Sequence, residues 1–200
     1  MSVLLEIVSP GGMASIQDLG RSGLRRVGVP RAGALEPGWL RLTNALLGNA
    51  QDAPVIEFLA GGLAVRALDL PVQVALGGHF SAELSTVAGK RRLDSWRSVT
   101  LAPGEILRCG TLSAARVGYL GLAGCCVRRQ LGSASTYARA GLGGLDGRWL
   151  VARDRLPGAT GSAGERVLRT PPRLDQAAIR VVLGPQDDYF EQQAIAALLS

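Results

Sequence analysis

Between Val55 and Ala123 the sequence falls into seven short apolar runs, at 55–59, 63–68, 72–76, 81–87, 98–101, 106–109 and 116–123, parted by Gly61-Gly62, Gly77-Gly78, Gly89, Pro103-Gly104 and Gly110. None exceeds eight residues, too short for ordinary helices, and the glycine and proline breaks fall where turns are needed. This predicts a mainly β fold, a meander closing into a barrel or sandwich. Hairpin tips are expected at Ala88-Gly89 or Gly89-Lys90 and again at 60–62. A first strand is expected over 3–8, ended by Ser9, Pro10, Gly11 and Gly12. Glu57 sits inside an apolar run, so it either faces solvent or is held by an arginine as part of a site.

One helix interrupts this pattern. Leu35, Trp39, Leu42 and Leu46 recur at spacings of four, three and four, Pro37 suits a first turn, and Gly48-Asn49 suits an exit, so the helix should span 37–47. The loop before it, 16–33, sets Gln17, Asp18, Arg21, Arg25, Arg26 and Arg31 among Gly20, Gly23, Gly28, Pro30 and Gly33. Such a backbone cannot be regular for long, and it serves either as a solvated connection or as a binding loop. It delivers the chain to a helix N-terminus, which favours an anionic ligand.

A second polar concentration lies at 131–148, with Ser133, Ser135, Thr136 and Tyr137 followed by glycines 141, 143, 144 and 147 around Asp146, then Arg148. Hydroxyls and backbone N–H groups at this density can cradle a carboxylate, a phosphate or a ureido group. A glycine-rich structural loop has the same composition. No Gly-Lys-Ser/Thr follows, so it is not a P-loop, and Asp146 stands where a dinucleotide fingerprint needs its third glycine.

Charge and cysteine narrow the function classes. The net charge is +6, carried by arginines spread along the chain beside the single Lys90, without the basic stripe and interleaved aromatics of a nucleic-acid binder. Cys109, Cys125 and Cys126 are odd in number and two are adjacent, which argues against a disulfide framework and for a reducing, cytoplasmic setting. His79 is the only histidine, so no zinc site is expected and His79 itself reads as a polar residue at a strand end. The N-terminus lacks a positive region before its apolar run, unlike a signal peptide, and the longest uncharged apolar stretch, 117–127, is far short of the ~20 residues a membrane helix needs.

The elements QDLGR (17–21), GVPRAGALEP (28–37), LTNALLGN (42–49), the Glu57 strand with Gly61-Gly62, YLGLAG (119–124) and LGSASTY…GLGGLDGR (131–148) occur together in one order and spacing. In them the chain resembles the carboxyltransferase-domain family also called allophanate hydrolase subunit 2 or KipA-like, which includes the C subunit of bacterial 5-oxoprolinase. The resemblance covers almost all of 3–187. It implies a cyclophilin-like β-barrel, usually two barrel subdomains in tandem, so that 1–155 is the first subdomain, 156–178 a linker and 179–200 the beginning of a second. It implies ATP-dependent opening of 5-oxoproline to glutamate, or carboxyl transfer from the carboxybiotin of a partner to urea. The implied partners are a KipI-like subunit and a LamB/YcsF-like subunit, with ATP used by the assembled complex. Its alternative is a non-catalytic KipA-type regulatory module or an inactive shortened copy.

The positions matching the family's motifs are Gln17, Asp18, Arg21, Gly28, Pro30, Gly33, Asn44, Asn49, Glu57, Ser133, Ser135, Thr136, Tyr137, Gly143, Gly144 and Arg148. The resemblance implies substrate contacts from Gln17, Asp18, Arg21, Ser133, Ser135, Thr136, Tyr137 and Arg148, with Arg21 as a clamp and the hydroxyls as donors. Asn44, Asn49, Glu57, Gly143 and Gly144 are expected to support them. Four positions depart from the family pattern: Ala134 replaces an arginine between the serines, Glu36 an aspartate, Cys125 a second glycine, and Arg153 a glycine before Asp154. Family members are longer, and this chain is expected to enter its second subdomain with a strand at 179–183, GPQDDYF at 184–190 and a helix at 191–199.

Overall fold

The computed structural model describes residues 2–113, 115–160, 164–173 and 181–199. It contains two antiparallel sheets. The first has six strands in the order β11-β1-β4-β9-β6-β7, formed by Arg155–Gly158, Ser2–Pro10, Leu63–Ala67, Ile106–Cys109, Ser81–Thr86 and Gly89–Asp94. The second has five in the order β2-β3-β10-β5-β8, formed by Met13–Gln17, Val55–Leu59, Val117–Leu122, Val72–Gly77 and Arg97–Leu101.

The seven runs are strands, but they do not form a meander. β3 and β4 lie in different sheets, as do β5 and β6, so Gly61-Gly62 and Gly77-Gly78 are crossovers between sheets rather than hairpin tips. One hairpin, β6–β7, joins sequential neighbours, and its closing pair Thr86↔Gly89 puts Val87-Ala88 at the tip, one residue earlier than expected. The crossovers bring alternate side chains of both sheets into one core, where Leu5, Ile7, Phe58, Val65, Leu76 and Leu107 are fully buried. Phe58 meets Phe80 edge-to-face with centroids 5.2 Å apart, the arrangement aromatic quadrupoles prefer.

Helix α1, Pro37–Leu47, has the expected bounds. Pro37 opens it and Gly48 closes it in the left-handed conformation, φ +70°. Its apolar stripe, with Trp39, Leu40, Leu46 and Leu47 buried, lies on the outside of the second sheet against β5 and β10. A second cluster forms there around Trp39, Leu40, Val55, Trp96 and Tyr119. His79 sits in the turn between β5 and β6 with its ring 5.2 Å from that of Trp39.

The chain beyond 155 corrects the expected linker boundary. β11 pairs with β1 through Ser2↔Gly158 and Glu6↔Arg155, so the first sheet continues to Gly158. Farther on, Arg166 and Leu168 bond the backbone of Ser98 and Trp96 along the outer edge of β8. Residues 174–180 lie outside those described, and with them Ile179 and Arg180 of the strand expected at 179–183. Val181, Val182 and Leu183 are exposed and carry no strand. Helix α2, Gln192–Leu199, falls where a helix is expected and has no buried residue.

Arg153 explains one departure from the family pattern. Its φ is +73°, a conformation costing a side-chain-bearing residue about 1–2 kcal/mol, and a glycine there is free of that cost. Arg153→Gly is expected to raise stability by about 1 kcal/mol, measured by urea unfolding.

Candidate functional site

The two polar concentrations meet at the end of β2. The strand carries Gln17 to the sheet edge, and the segment 134–150 covers that edge, with Thr136 N–H bonding Ile16 O at 2.9 Å and Leu150 N–H bonding Ala14 O at 2.9 Å. Beyond the strand, Asp18 turns inward and is 2% exposed. Its Oδ1 accepts from Ser133 Oγ at 2.6 Å, Ser135 Oγ at 2.6 Å and Gly20 N–H at 2.8 Å, and its Oδ2 from Ala134 N–H at 2.7 Å. Asp18 N–H returns a bond to Ser135 Oγ at 2.9 Å. Burial alone would push this carboxyl up, but the hydrogen bonds from Ser133, Ser135, Ala134 and Gly20 outweigh it and hold it below its ordinary value.

Arg21 is equally buried, with Nε donating to Gln130 O at 3.2 Å and Nη2 to Ser135 O. Burial lowers its affinity for the proton, and the Asp18 charge offsets part of that loss. Gln17 Nε2 donates to Ser15 Oγ at 2.9 Å and to Thr136 O at 3.3 Å. The two loops are therefore stitched by one aspartate and one arginine, and the hydroxyls of Ser133 and Ser135 are spent on Asp18.

Three polar atoms in this cluster are buried without a hydrogen-bond partner: Arg21 Nη1, Gln17 Oε1 and Thr136 Oγ1. They form a donor, an acceptor and a hydroxyl. Thr136 Oγ1 lies directly behind Gly144, where a Cβ would collide with it. Gly144 in turn lines a cavity of ≈ 280 Å³ together with Cys126, Arg128, Gln130, Leu145 and Asp146. Gln130 both walls this cavity and holds Arg21.

The glycine loop is not a phosphate cradle. Gly143 N–H donates to Gln130 Oε1 at 2.7 Å, Gly144 N–H to Ala134 O at 2.8 Å and Gly147 N–H to Gly143 O at 2.8 Å, which leaves none of the three for an anion. Arg148 is held in a two-pronged pair with Asp154, both contacts at 2.8 Å, and its guanidinium lies 3.9 Å from Asp146 on the cavity wall. Tyr137 closes the neighbouring turn through its backbone, N–H to Leu142 O at 2.8 Å. Asn44 and Asn49 brace the exit of α1, with Asn44 Nδ2 on Ala53 O at 2.8 Å and Asn49 joining Leu122 O at 3.0 Å to Gly124 N–H at 3.0 Å.

Glu57 takes neither place expected of it. Its Oε2 accepts from Tyr119 Oη at 2.7 Å and from Leu35 N–H at 2.7 Å, and Glu36 N–H donates to the same tyrosine oxygen at 2.8 Å. Burial pushes the Glu57 carboxyl up, with the bonds from Leu35 and Tyr119 acting against it. This group anchors the entrance of α1 to the second sheet. Tyr119→Phe leaves the Glu36 N–H and the Glu57 carboxylate each short of a partner and is expected to cost about 2 kcal/mol in urea unfolding.

Among the described residues no group of three or more His, Cys, Asp or Glu side chains is placed to hold a metal ion, and no helix is long and apolar enough to cross a membrane. Residues 27–200 match the family described as carboxyltransferase domain, subdomain A and B. The chain is 34% identical to the C subunit of 5-oxoprolinase from Haemophilus influenzae over 93% of its own length and 59% of that protein. To the corresponding 5-oxoprolinase component of Escherichia coli it is 34% identical over 77% of the chain and 49% of that protein. It thus spans about half the length of these relatives. The crystal structure of TTHA0988 superposes with a TM-score of 0.83 at 32% identity, covering 98% of this chain and 39% of that one. The K. lactis urea amidolyase gives 0.71 at 30% identity, over 76% of this chain and 9% of that one.

Proposed function

Because the chain belongs to the carboxyltransferase-domain family of subdomains A and B, we propose that its two stitched loops bind a small amide and that it serves as the C subunit of an ATP-dependent 5-oxoprolinase, opening 5-oxo-L-proline to L-glutamate. The observation that carries this reading is the trio of buried polar atoms without a partner in the Asp18 cluster, of which Thr136 Oγ1 lies behind the cavity-lining Gly144. A lactam offers a carbonyl that accepts and an N–H that donates. The carbonyl would accept from Arg21 Nη1 and Thr136 Oγ1, and the N–H would donate to Gln17 Oε1. Arg128, on the cavity wall, is the cation for the substrate carboxylate. Donors fixed at a carbonyl also stabilise the oxyanion that forms when the ring is attacked. A urea or other ureido group presents the same pattern, and carboxyl transfer from a partner's carboxybiotin is the related chemistry.

The internally bonded glycine loop does not fit ATP, so the nucleotide is assigned to the other subunits, a KipI-like protein and a LamB/YcsF-like protein. The two sheets are read as the cyclophilin-like barrel of a first subdomain. The residues from 179 on are read as the start of a second, and 159–178 as the connection.

The test is the complex reconstituted with both partner subunits, assayed for ATP-dependent glutamate formation. Thr136→Val keeps the side chain's shape and removes a hydroxyl that no protein group uses. It is expected to leave folding unchanged and to raise KM for 5-oxoproline about tenfold, equivalent to about 1.4 kcal/mol. Turnover with an unaltered KM would overturn the site. Stable assembly without turnover would favour the non-catalytic KipA-type module.

A further inference from the structure

The two sheets have four outer edges, and three are covered by the chain itself. Segment 134–150 bonds the edge of β2 through Thr136 and Leu150. Segment 165–168 runs along β8, with Arg97↔Val167 bridged, Ser98 N–H on Arg166 O at 2.8 Å and Thr100 N–H on Glu165 Oε1 at 3.0 Å. β11 is met by residues 123–126, Ala159 N–H reaching Ala123 O at 2.9 Å. The fourth edge is β7, which pairs with β6 alone; among the described residues nothing bonds the outer side of its backbone.

That bare edge has a definite chemistry. Gly89, Lys90, Arg91, Arg92 and Asp94 are exposed, and Leu93 alone is buried. Lys90 is paired with Glu83 at 2.8 Å, whereas Arg91 and Arg92 have no ion pair among the described residues. Beyond β6, whose Glu83 is the partner of Lys90, β9 of the same sheet adds Arg108, while Arg66 on β4 is paired with Glu6 at 3.4 Å. Val87, at the hairpin tip, is fully exposed. Beside the strand opens a cleft of ≈ 620 Å³ lined by Pro71, Leu84, Arg91, Thr100, Ala102 and Glu105. Glu105 is the one acid there, and its Oε2 is occupied by Ala102 N–H at 2.9 Å.

We propose that β7 is a docking edge for an extended acidic segment of a partner protein, which adds as a seventh strand to the first sheet. An open strand edge supplies a row of backbone donors and acceptors that only another extended backbone satisfies in register. Two copies of this edge would set arginine against arginine, so it rejects its own kind while its charge selects acidic residues. Alternate side chains of the added strand face the cleft, whose Pro71, Leu84 and Ala102 accept apolar groups, and the arginines meet the carboxylates. This inference is independent of the substrate reading, since β7 shares no residue with the Asp18 cluster.

The probe is a seven-residue peptide of alternating Glu and Val, added to the whole chain and followed by amide hydrogen exchange. Slowed exchange confined to 89–94, with binding that weakens as salt rises, is the expected result. The Arg91→Glu/Arg92→Glu double variant, both positions being exposed, is expected to fold as the parent by circular dichroism and to lose at least tenfold in affinity. The matching Lys/Val peptide is expected not to bind. The proposal is overturned if exchange at 89–94 is unchanged, if the double variant binds equally well, or if an oligo-dT strand gives the same protection as the acidic peptide.

Discussion

Asp18→Ala should be among the most damaging substitutions in the chain, lowering stability by about 4 kcal/mol and loosening the two loops from each other. The magnitude follows from what is left behind. Two buried hydroxyls and two N–H groups now satisfied by one carboxylate would each face an empty space, in a cluster where Ser133 and Ser135 are 0% exposed. Arg21 would also lose the nearby charge that favours its ionised form. Asp18→Asn keeps the shape but turns an N–H₂ group toward at least one existing donor, so it should cost about half as much. The pH dependence has a fixed sign. The carboxyl is held below its unfolded value of about 3.9, so its contribution is fully present above that value and is lost as pH falls through the lower folded one. Urea titrations of wild type and Asp18→Asn at stepped pH check this: the two curves should converge in acid. A constant separation down to the lowest pH would mean the carboxylate is not what the serines hold.

Gly143→Ala is expected to be comparably severe, at about 4 kcal/mol. The residue has φ +70°, where any Cβ is strained, and that Cβ would run into the carbonyl oxygen of Ser135. That oxygen is also the acceptor for Arg21 Nη2, so the loop cannot give way without moving the arginine. The variant should unfold at markedly lower urea, and any folded fraction should show weakened amide binding. Gly141→Ala, whose Cβ meets nothing, isolates the backbone strain alone and should cost about 1–2 kcal/mol.

Much of the architecture could be read from residue pattern. α1 was legible to the residue because an apolar stripe, a proline and a glycine all mark the same bounds. The seven apolar strands, each with at most one charged residue, were legible because both their faces or one clean face are buried. β7 was not, since an edge strand reading KRR carries charge where a central strand would carry valine. β2 and β11 are short and broken by serine or proline, and they are strands because of the neighbours they pair with, Glu57 and Glu6 among them. Paired glycines look alike whether they turn a hairpin or carry the chain between sheets, so the topology could not be read from them.

In the site, residue types marked 16–33 and 131–148 as polar loops, although Ile16 and Gln17 are the last residues of β2. Residue types did not show that the serines face Asp18 rather than a ligand, because a buried carboxylate and a bound anion demand the same donors. Nor could spacing reveal that Thr136, Gln17 and Arg21 each keep one unpaired atom, since that depends on packing across more than a hundred residues of chain.

We propose that the Arg21 guanidinium, fixed by Ser135 and Gln130, meets the carbonyl of a small amide. This contact is tested most directly by following the arginine side-chain ¹⁵N–¹H resonances of the assembled complex while 5-oxo-L-proline is added. The Arg21 signals are expected to shift and saturate with substrate, and Thr136→Val to weaken this titration about tenfold. Arg21 signals that stay unmoved while the same sample turns substrate over would contradict it.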